Sequence, residues 1–297
     1  MIRVALLGCD STHTEAYGGL ISNEYAALGS RAKAISIWGA EPDAVKTKAT
    51  LLGIDRVEDT VQAAIKDIDA IMIVNRFGED RFQLGMQALV VGKPVFADKP
   101  LTMDMQEAKQ LTEAFANNNV PLFSSSAFRF AEEVQQLRKR LQNKTVIGGV
   151  VTGPFECTNL GDDPRLKKIF FYGIHLTEML QEVFGARFDS VTVSTSPEHG
   201  YLAQVRTRDG LQINLAMMKP MKDYYSVTAF TSEKRFGFTL NLEGEYYTHT
   251  LSTFLDFVEG KHPGVPLEHT LEALELLFAI EKSAQTGKSV QMEGICA

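Results

Sequence analysis

Cysteine is scarce: the 297-residue sequence holds three, Cys9, Cys157 and Cys296, far apart and outside any CxxC or Cys/His ligand spacing. That pattern excludes a disulfide framework and a cysteine-based structural zinc site, and it suits a reducing cytoplasm. Long hydrophobic runs are missing too, so no stretch of ~18 apolar residues reads as a membrane span. The opening MIRVALLG is strand-like from its second residue and lacks the basic segment, apolar stretch and cleavage site of a secretion signal. Positive charge is thin. The basic cluster around Arg138 to Arg140 is short and the formal net charge is −7, which gives nucleic-acid binding little electrostatic support.

What is present describes a soluble globular chain, 44% hydrophobic and 23% charged, long enough for two domains with cores of their own. In the first part, continuous apolar runs alternate with amphipathic stretches: IRVALLG, AKAISIWG, DIDAIMIVN and PVFAD are strand-like, while PDAVKTKATLLG, DRFQLGMQALVVG and MDMQEAKQLTEAFANNN are helix-like. Apolar strands separated by helices predict a doubly wound parallel sheet of Rossmann type covered on both faces, over residues 1–123. Residues 124–297 follow another grammar. A helix (AEEVQQLRKRLQ), a second one starting near His175, then SVTVSTS, YLAQVRT, LQINLAMM, YSVTAFT and FGFTLNL in succession predict an α+β domain with an open, mostly antiparallel sheet. Asp209-Gly210 is a hairpin signal between two of these strands. Two helices close the chain, the last stopped by Gly287.

In a parallel α/β sheet the turn after the first strand receives the pyrophosphate of a dinucleotide. Here it reads Gly8-Cys9-Asp10-Ser11-Thr12-His13. A G-x-G-x-x-G frame keeps Gly8 and puts Asp10 and His13 in the other two places, so the fingerprint is degraded. Asp10 adds negative charge beside an anionic ligand unless it turns away or caps the helix. Ser11 and Thr12 offer hydroxyl donors to phosphate; the alternative is that Asp10, Ser11 or Thr12 only caps the helix. The second strand ends Trp38-Gly39-Ala40-Glu41, with Gly39 where an acid would hold the ribose hydroxyls. Glu41 either substitutes for that acid or the gap accommodates a 2′-phosphate. Trp38 either flanks an adenine or packs on a neighbouring helix. Asn75, at the end of the run DIDAIMIVN, completes the cofactor candidates.

The stretch VFADKPLT places Lys99 at a strand tip and fixes the next φ with Pro100, which marks a strand end where the backbone turns and an ammonium can point into a cleft. Asp98-Lys99-Pro100 with its flanks resembles the Glu-Lys-Pro motif of the Gfo/Idh/MocA family of sugar and cyclitol oxidoreductases. FSSSAFRF (123–130), with Arg129, resembles the family's domain-crossing segment, and Gly173-Ile174-His175-Leu176-Thr177-Glu178 fits its G-x-H-x-x-D pattern. The similarity runs over almost the whole chain.

That resemblance implies hydride transfer between a carbinol or carbonyl carbon and NAD or NADP, with Lys99 bonding the reacting oxygen and also meeting the cofactor, and His175 exchanging its proton. A neutral imidazole accepts a hydroxyl proton near pH 7 while an ammonium stabilises the developing alkoxide. Arg129, Tyr172 and Glu178 are candidates to bind the substrate, though Glu178 serves equally as a group that orients the imidazole. Family dehydrogenases carry an aspartate four residues before the histidine; here that position is Phe171, which neither donates nor titrates. Asp162 and Asp163 are further candidates. The expectation is a cytoplasmic, metal-free oxidoreductase acting on a small polyhydroxylated, sugar-like molecule, with no nucleic-acid or membrane partner, self-associating as a dimer or tetramer through its second sheet. The losses at Asp10, His13, Gly39 and Phe171 keep two alternatives open: a non-catalytic sensor or binding module on the same fold, and a non-redox enzyme using Lys99 and His175.

Overall fold

The computed structural model describes residues 1–154, 163, 165, 169–185, 187–219, 221 and 224–294. Cys157, Cys296 and Asp162 lie outside the described residues. The chain divides into two compact units, Met1–Ser125 with Tyr247–Leu267, and Ser126–Tyr246 with Glu268–Ala297.

The apolar runs of the first unit form β1 (Ile2–Leu7), β2 (Ala32–Trp38), β3 (Arg56–Val57), β4 (Ala70–Ile73), β5 (Val95–Ala97) and β6 (Leu122–Phe123). They pair in parallel in the order β3-β2-β1-β4-β5-β6. The order reverses between β1 and β4, and in such sheets the crevice at the carboxyl ends of the strands beside that reversal receives the ligand. Between the strands run α1 (Thr12–Gly19), α2 (Pro42–Leu52), α3 (Val61–Ala64), α4 (Arg81–Leu89) and α5 (Met105–Asn117). Their ends follow local chemistry. Pro42 opens α2 and Gly53, in the left-handed region, closes it. Asp104 caps α5 by accepting from Gln106 N at 2.7 Å and Glu107 N at 2.9 Å.

The second unit begins with α6 (Glu132–Leu141), β7 (Val146–Pro154) and α7 (Ile169–Phe184), followed by β8 (Phe188–Ser196), β9 (Gly200–Thr207), β10 (Gln212–Met218), β11 (Ser226–Thr231) and β12 (Arg235–Thr239). After α8 (Tyr246–Val258) the chain ends with α9 (Leu267–Thr286) and β13 (Val290–Gln291). The sheet order is β12-β11-β7-β10-β9-β8-β13, antiparallel throughout except where β10 meets β7. Asp209-Gly210 turns β9 into β10 as its sequence predicts, with Gly210 at φ +87°. Along β9, Ala203, Val205 and Thr207 are buried while Leu202, Gln204 and Arg206 are exposed, so one face is packed and the other open.

One helix boundary differs from the sequence expectation. The helix expected to begin near His175 is already running at Ile169, and Ile169 and Phe170 are themselves buried and extend the apolar stripe backwards. His175 therefore stands inside α7 rather than at its start. From Tyr247 onward, α8 lies in the first unit, where Phe254 meets Phe96 with ring centres 5.5 Å apart and Phe257 meets Phe123 at 5.8 Å.

Candidate functional site

The turn after β1 holds the glycine-loop candidates. Gly8 has φ +104°, and a Cβ there would collide with the Asn75 backbone, so the close approach of two strand ends requires glycine. Ser11 is the cap of α1, its Oγ accepting from His13 N at 3.1 Å; of the three residues weighed as caps, it takes that role. Thr12 is exposed on the first turn. Asp10 turns toward Arg76: its Oδ1 accepts from Arg76 N at 3.0 Å and its carbonyl from Arg76 Nε at 2.7 Å. Beneath the loop, burial pushes the Cys9 thiol up to about 12, with Asp10 adding to the shift and Lys48 opposing it, so Cys9 stays protonated and is no nucleophile.

At the end of β2, a Cβ on Gly39 would meet Val45 at 3.0 Å and Cys9 at 3.1 Å, which leaves little room for an acidic side chain. Glu41 is exposed and makes no side-chain cap for α2. Trp38 is half-buried, and its carbonyl accepts from Gly8 N at 2.8 Å.

Asp98, Lys99 and Pro100 are all buried just beyond β5. Asp98 N donates to Ile73 O at 2.9 Å, which keeps this segment in register with β4. Its Oδ2 lies 2.6 Å from His13 Nδ1 and 3.7 Å from the Arg81 guanidinium. Burial by itself would raise the Asp98 carboxyl, but His13, then Arg81 and Lys99, outweigh it and hold the group well below the usual carboxylate range. Arg81 is fully buried at the start of α4, and burial lowers its pKa. It donates to Asn75 O at 2.5 Å, to Arg76 O at 3.3 Å and to Pro100 O, joining the strand ends that carry Asn75 and Lys99. Neither Arg81 nor the pairing of His13 with Asp98 was visible in the sequence; the only signal was a strand-end acid that needs a cation if buried. Asn75 donates through Nδ2 to Phe77 O at 2.5 Å, while its Oδ1 is buried without a hydrogen-bond partner among the described residues.

The second unit gathers the remaining candidates. Ser126 Oγ lies 2.6 Å from His175 Nδ1, and Ser126 N donates to Glu178 Oε1 at 2.9 Å. His175 and Glu178, one helical turn apart, thus grip the same residue. Glu178 Oε2 accepts from Arg129 Nε at 3.0 Å, and Arg129 also donates to Gln181 at 2.6 Å and Glu182 at 2.7 Å. Burial raises the Glu182 carboxyl, but Arg129, Gln135 and Arg138 reverse that and leave it lowered. Two residues expected to contact substrate, Arg129 and Glu178, are therefore bound to each other inside this unit. Phe128 packs on the His175 ring with centres 4.5 Å apart, and Tyr172 is half-buried with its ring centre 6.3 Å from that of His175. Asp163 is engaged by Arg165, closest at 2.6 Å. Among the described residues no three His, Cys, Asp or Glu side chains cluster to hold a metal ion.

A nicotinamide dinucleotide fits the first unit's donor set. The Gly8–Ser11 turn opens α1, Asp10 points at Arg76, the buried Asn75 Oδ1 retains an open acceptor, and Glu41 stands exposed past β2 where a ribose would need it.

Residues 2–126 match the family model described as the oxidoreductase family with an NAD-binding Rossmann fold, Gfo/Idh/MocA. No curated protein matches the chain. Among solved structures, a putative myo-inositol dehydrogenase from Sinorhizobium meliloti is 18% identical with a TM-score of 0.84, over 98% of this chain and 100% of that one. The WlbA dehydrogenase from Bordetella pertussis, solved with NADH and UDP-GlcNAcA, is 19% identical with a TM-score of 0.80, over 98% of each chain. A myo-inositol dehydrogenase from Lactobacillus casei, solved with NAD(H) and myo-inositol, is 14% identical with a TM-score of 0.81, over 100% of this chain and 98% of that one. At such identities these likenesses establish the fold.

Proposed function

We propose, for a chain whose residues 2–126 match the family model of the NAD-binding Gfo/Idh/MocA oxidoreductases, that the protein is an NAD-dependent dehydrogenase acting on a CH–OH group of a small polyhydroxylated molecule. The observation that carries this reading is Lys99, buried directly beyond β5 at the carboxyl end of a parallel sheet whose family binds NAD. Gly8, Ser11, Asn75 and Glu41 hold the dinucleotide. When bound there, the nicotinamide supplies the two-electron acceptor or donor.

The chain's own residues do the remainder. The Lys99 ammonium bonds the reacting oxygen and stabilises negative charge developing on it. His175 exchanges the hydroxyl proton at Nε2 while Ser126 holds Nδ1. Arg129 and Glu178 act as the frame for Ser126 and His175, a reading supported by their mutual bond, and Tyr172 contacts the substrate from the next turn of α7. A sugar-like or cyclitol substrate is favoured by the inositol and nucleotide-sugar dehydrogenases that share the fold.

Self-association belongs to the same reading. Leu202, Met218 and Phe230 project from the open face of the second sheet and are 51%, 39% and 39% exposed, apolar surface that a second copy would cover. The direct test is titration with NAD(H) and NADP(H), followed by a panel of cyclitols and sugars monitored by nicotinamide absorbance. Saturable binding of neither nucleotide would remove the proposal, and product formed without a change in absorbance would replace it with a non-redox reaction.

A further inference from the structure

His13 occupies the third glycine position of the fingerprint, on the first turn of α1, where an imidazole has no obvious reason to be. Its Nδ1 lies 2.6 Å from Asp98 Oδ2, and Asp98 is held ionised. An ionised carboxylate only accepts hydrogen bonds, so Nδ1 must carry the hydrogen. In the neutral ring that leaves the lone pair on Nε2. This is the logic by which an aspartate sets a histidine's tautomer in a hydrolytic triad. Among the described residues none hydrogen-bonds to His13 Nε2, and the side chain retains 14% of its exposure, so this nitrogen is the open end of the pair.

Aromatic rings hold the imidazole in place. Tyr17 from α1 and Tyr247 from α8 meet the imidazole edge-on, with ring centres at 6.0 Å and 5.3 Å. The charged groups facing the pair are Arg81 from α4, which reaches Asp98 at 3.7 Å, and Lys99, whose charge also acts on Asp98. Asp98 thus has a fully buried guanidinium as countercharge whether His13 is neutral or protonated. An imidazole with Nδ1 anchored on a carboxylate presents Nε2 as a fixed hydrogen-bonding atom.

We infer that Asp98–His13 is an oriented dyad in which His13 Nε2 accepts a hydrogen bond from a hydroxyl of the nucleotide bound at the first unit. The inference rests on the dehydrogenase reading and leaves the proton of the reacting hydroxyl to His175. Asp98 is the positioning residue, and His13 the one that touches the ligand.

The test uses the intact protein labelled with ¹⁵N-histidine, the His13 signals being assigned by their loss in His13→Gln, with calorimetric titration of NAD⁺ and NADH in parallel. The expected result is the Nδ1–H tautomer at His13, an Nε2 signal that moves when nucleotide is added, and an NAD⁺ affinity that falls in His13→Gln. An Nε2–H tautomer in the free protein would overturn the dyad whatever the nucleotide does. Nucleotide binding with no response at His13 would overturn this role alone, whereas no nucleotide binding by the wild type would overturn the dehydrogenase reading and this role with it. Should His13→Gln fail to fold, Asp98→Asn supplies the comparison: the amide can donate to Nδ1, and a switch of tautomer in that variant supports the dyad while an unchanged tautomer overturns it.

Discussion

Ser126 Oγ and His175 Nδ1 stand 2.6 Å apart, both residues buried, with the Ser126 backbone amide bound in turn to Glu178. A hydroxyl both donates and accepts, so Ser126 can pair with His175 whether the ring gives or takes its proton at Nε2. On the proposed mechanism this pairing serves where the aspartate expected at position 171 is replaced by Phe171. Replacing Ser126 by Ala should slow the reaction about tenfold, the effect of losing one buried hydrogen bond of ~1.4 kcal/mol. Nucleotide affinity should stay unchanged and the pH–rate limb of His175 should move. An unmoved limb would reduce Ser126 to a packing residue.

Lys99 and His175 come from different units, and each is tested by itself. Lys99→Ala and His175→Asn should each cost at least ~10²-fold in turnover, the usual contribution of a positioned acid–base or charge-stabilising group. Dinucleotide binding should persist in His175→Asn, because the proposed cofactor residues all belong to the first unit. A titration of both variants with NADH, beside their rates on the best substrate of the panel, separates chemistry from binding. Near-normal rates in either would reject its assignment.

Arg129 answers two carboxylates, the buried Glu178 at 3.0 Å and the partly buried Glu182 at 2.7 Å. Removing one partner of a buried ion pair leaves uncompensated charge, so Arg129→Met should lower stability by ~3–5 kcal/mol in urea unfolding. The pH dependence has a definite sign. Glu182 has a lowered pKa in the folded protein, chiefly because Arg129 overcomes the effect of its burial. Its contribution is therefore present above the ordinary carboxylate range and disappears as acid protonates it. In Arg129→Met the burial penalty acts with less opposition, so the deficit should be largest near neutrality and shrink toward pH 4.

The fold is largely readable because its signals are local. IRVALLG and DIDAIMIVN are runs of residues that no single-sided strand would tolerate, Asp104 is a cap three residues before Glu107, and Asp209-Gly210 is a turn wherever it occurs between strands. IFFY carries no polar period, so only the burial of Ile169 and Phe170 shows that α7 already runs ahead of His175. The candidate site is less legible. Lys99 and His175 stand out through motifs, but the partner of each imidazole lies far along the chain: His13 and Asp98 are 85 positions apart, Ser126 and His175 are 49. Arg81 looks like an ordinary helix-start residue, and only the fold shows it enclosed among Asn75, Arg76 and Pro100. Periodicity describes which face a residue takes and says nothing of what waits across it.

Gly8 and Gly53 offer a control within one protein. Both have positive φ, +104° and +64°, but a Cβ at Gly53 meets nothing within 4 Å whereas at Gly8 it meets the Asn75 backbone. At Gly53→Ala the cost is the left-handed conformation alone, ~1–2 kcal/mol. At Gly8→Ala a steric term adds to it, and since backbone cannot rotate out of the way as a side chain can, the ends of β1 and β4 must part. Thermal unfolding should therefore show the larger loss for Gly8→Ala. The functional contrast should be sharper still, because Asn75 is both the obstacle and a proposed cofactor ligand: NADH affinity should fall in Gly8→Ala and hold in Gly53→Ala. Equal affinities in a folded Gly8→Ala would mean that the dinucleotide does not depend on the approach of these two strand ends, and the cofactor residues would have to be sought elsewhere along the sheet.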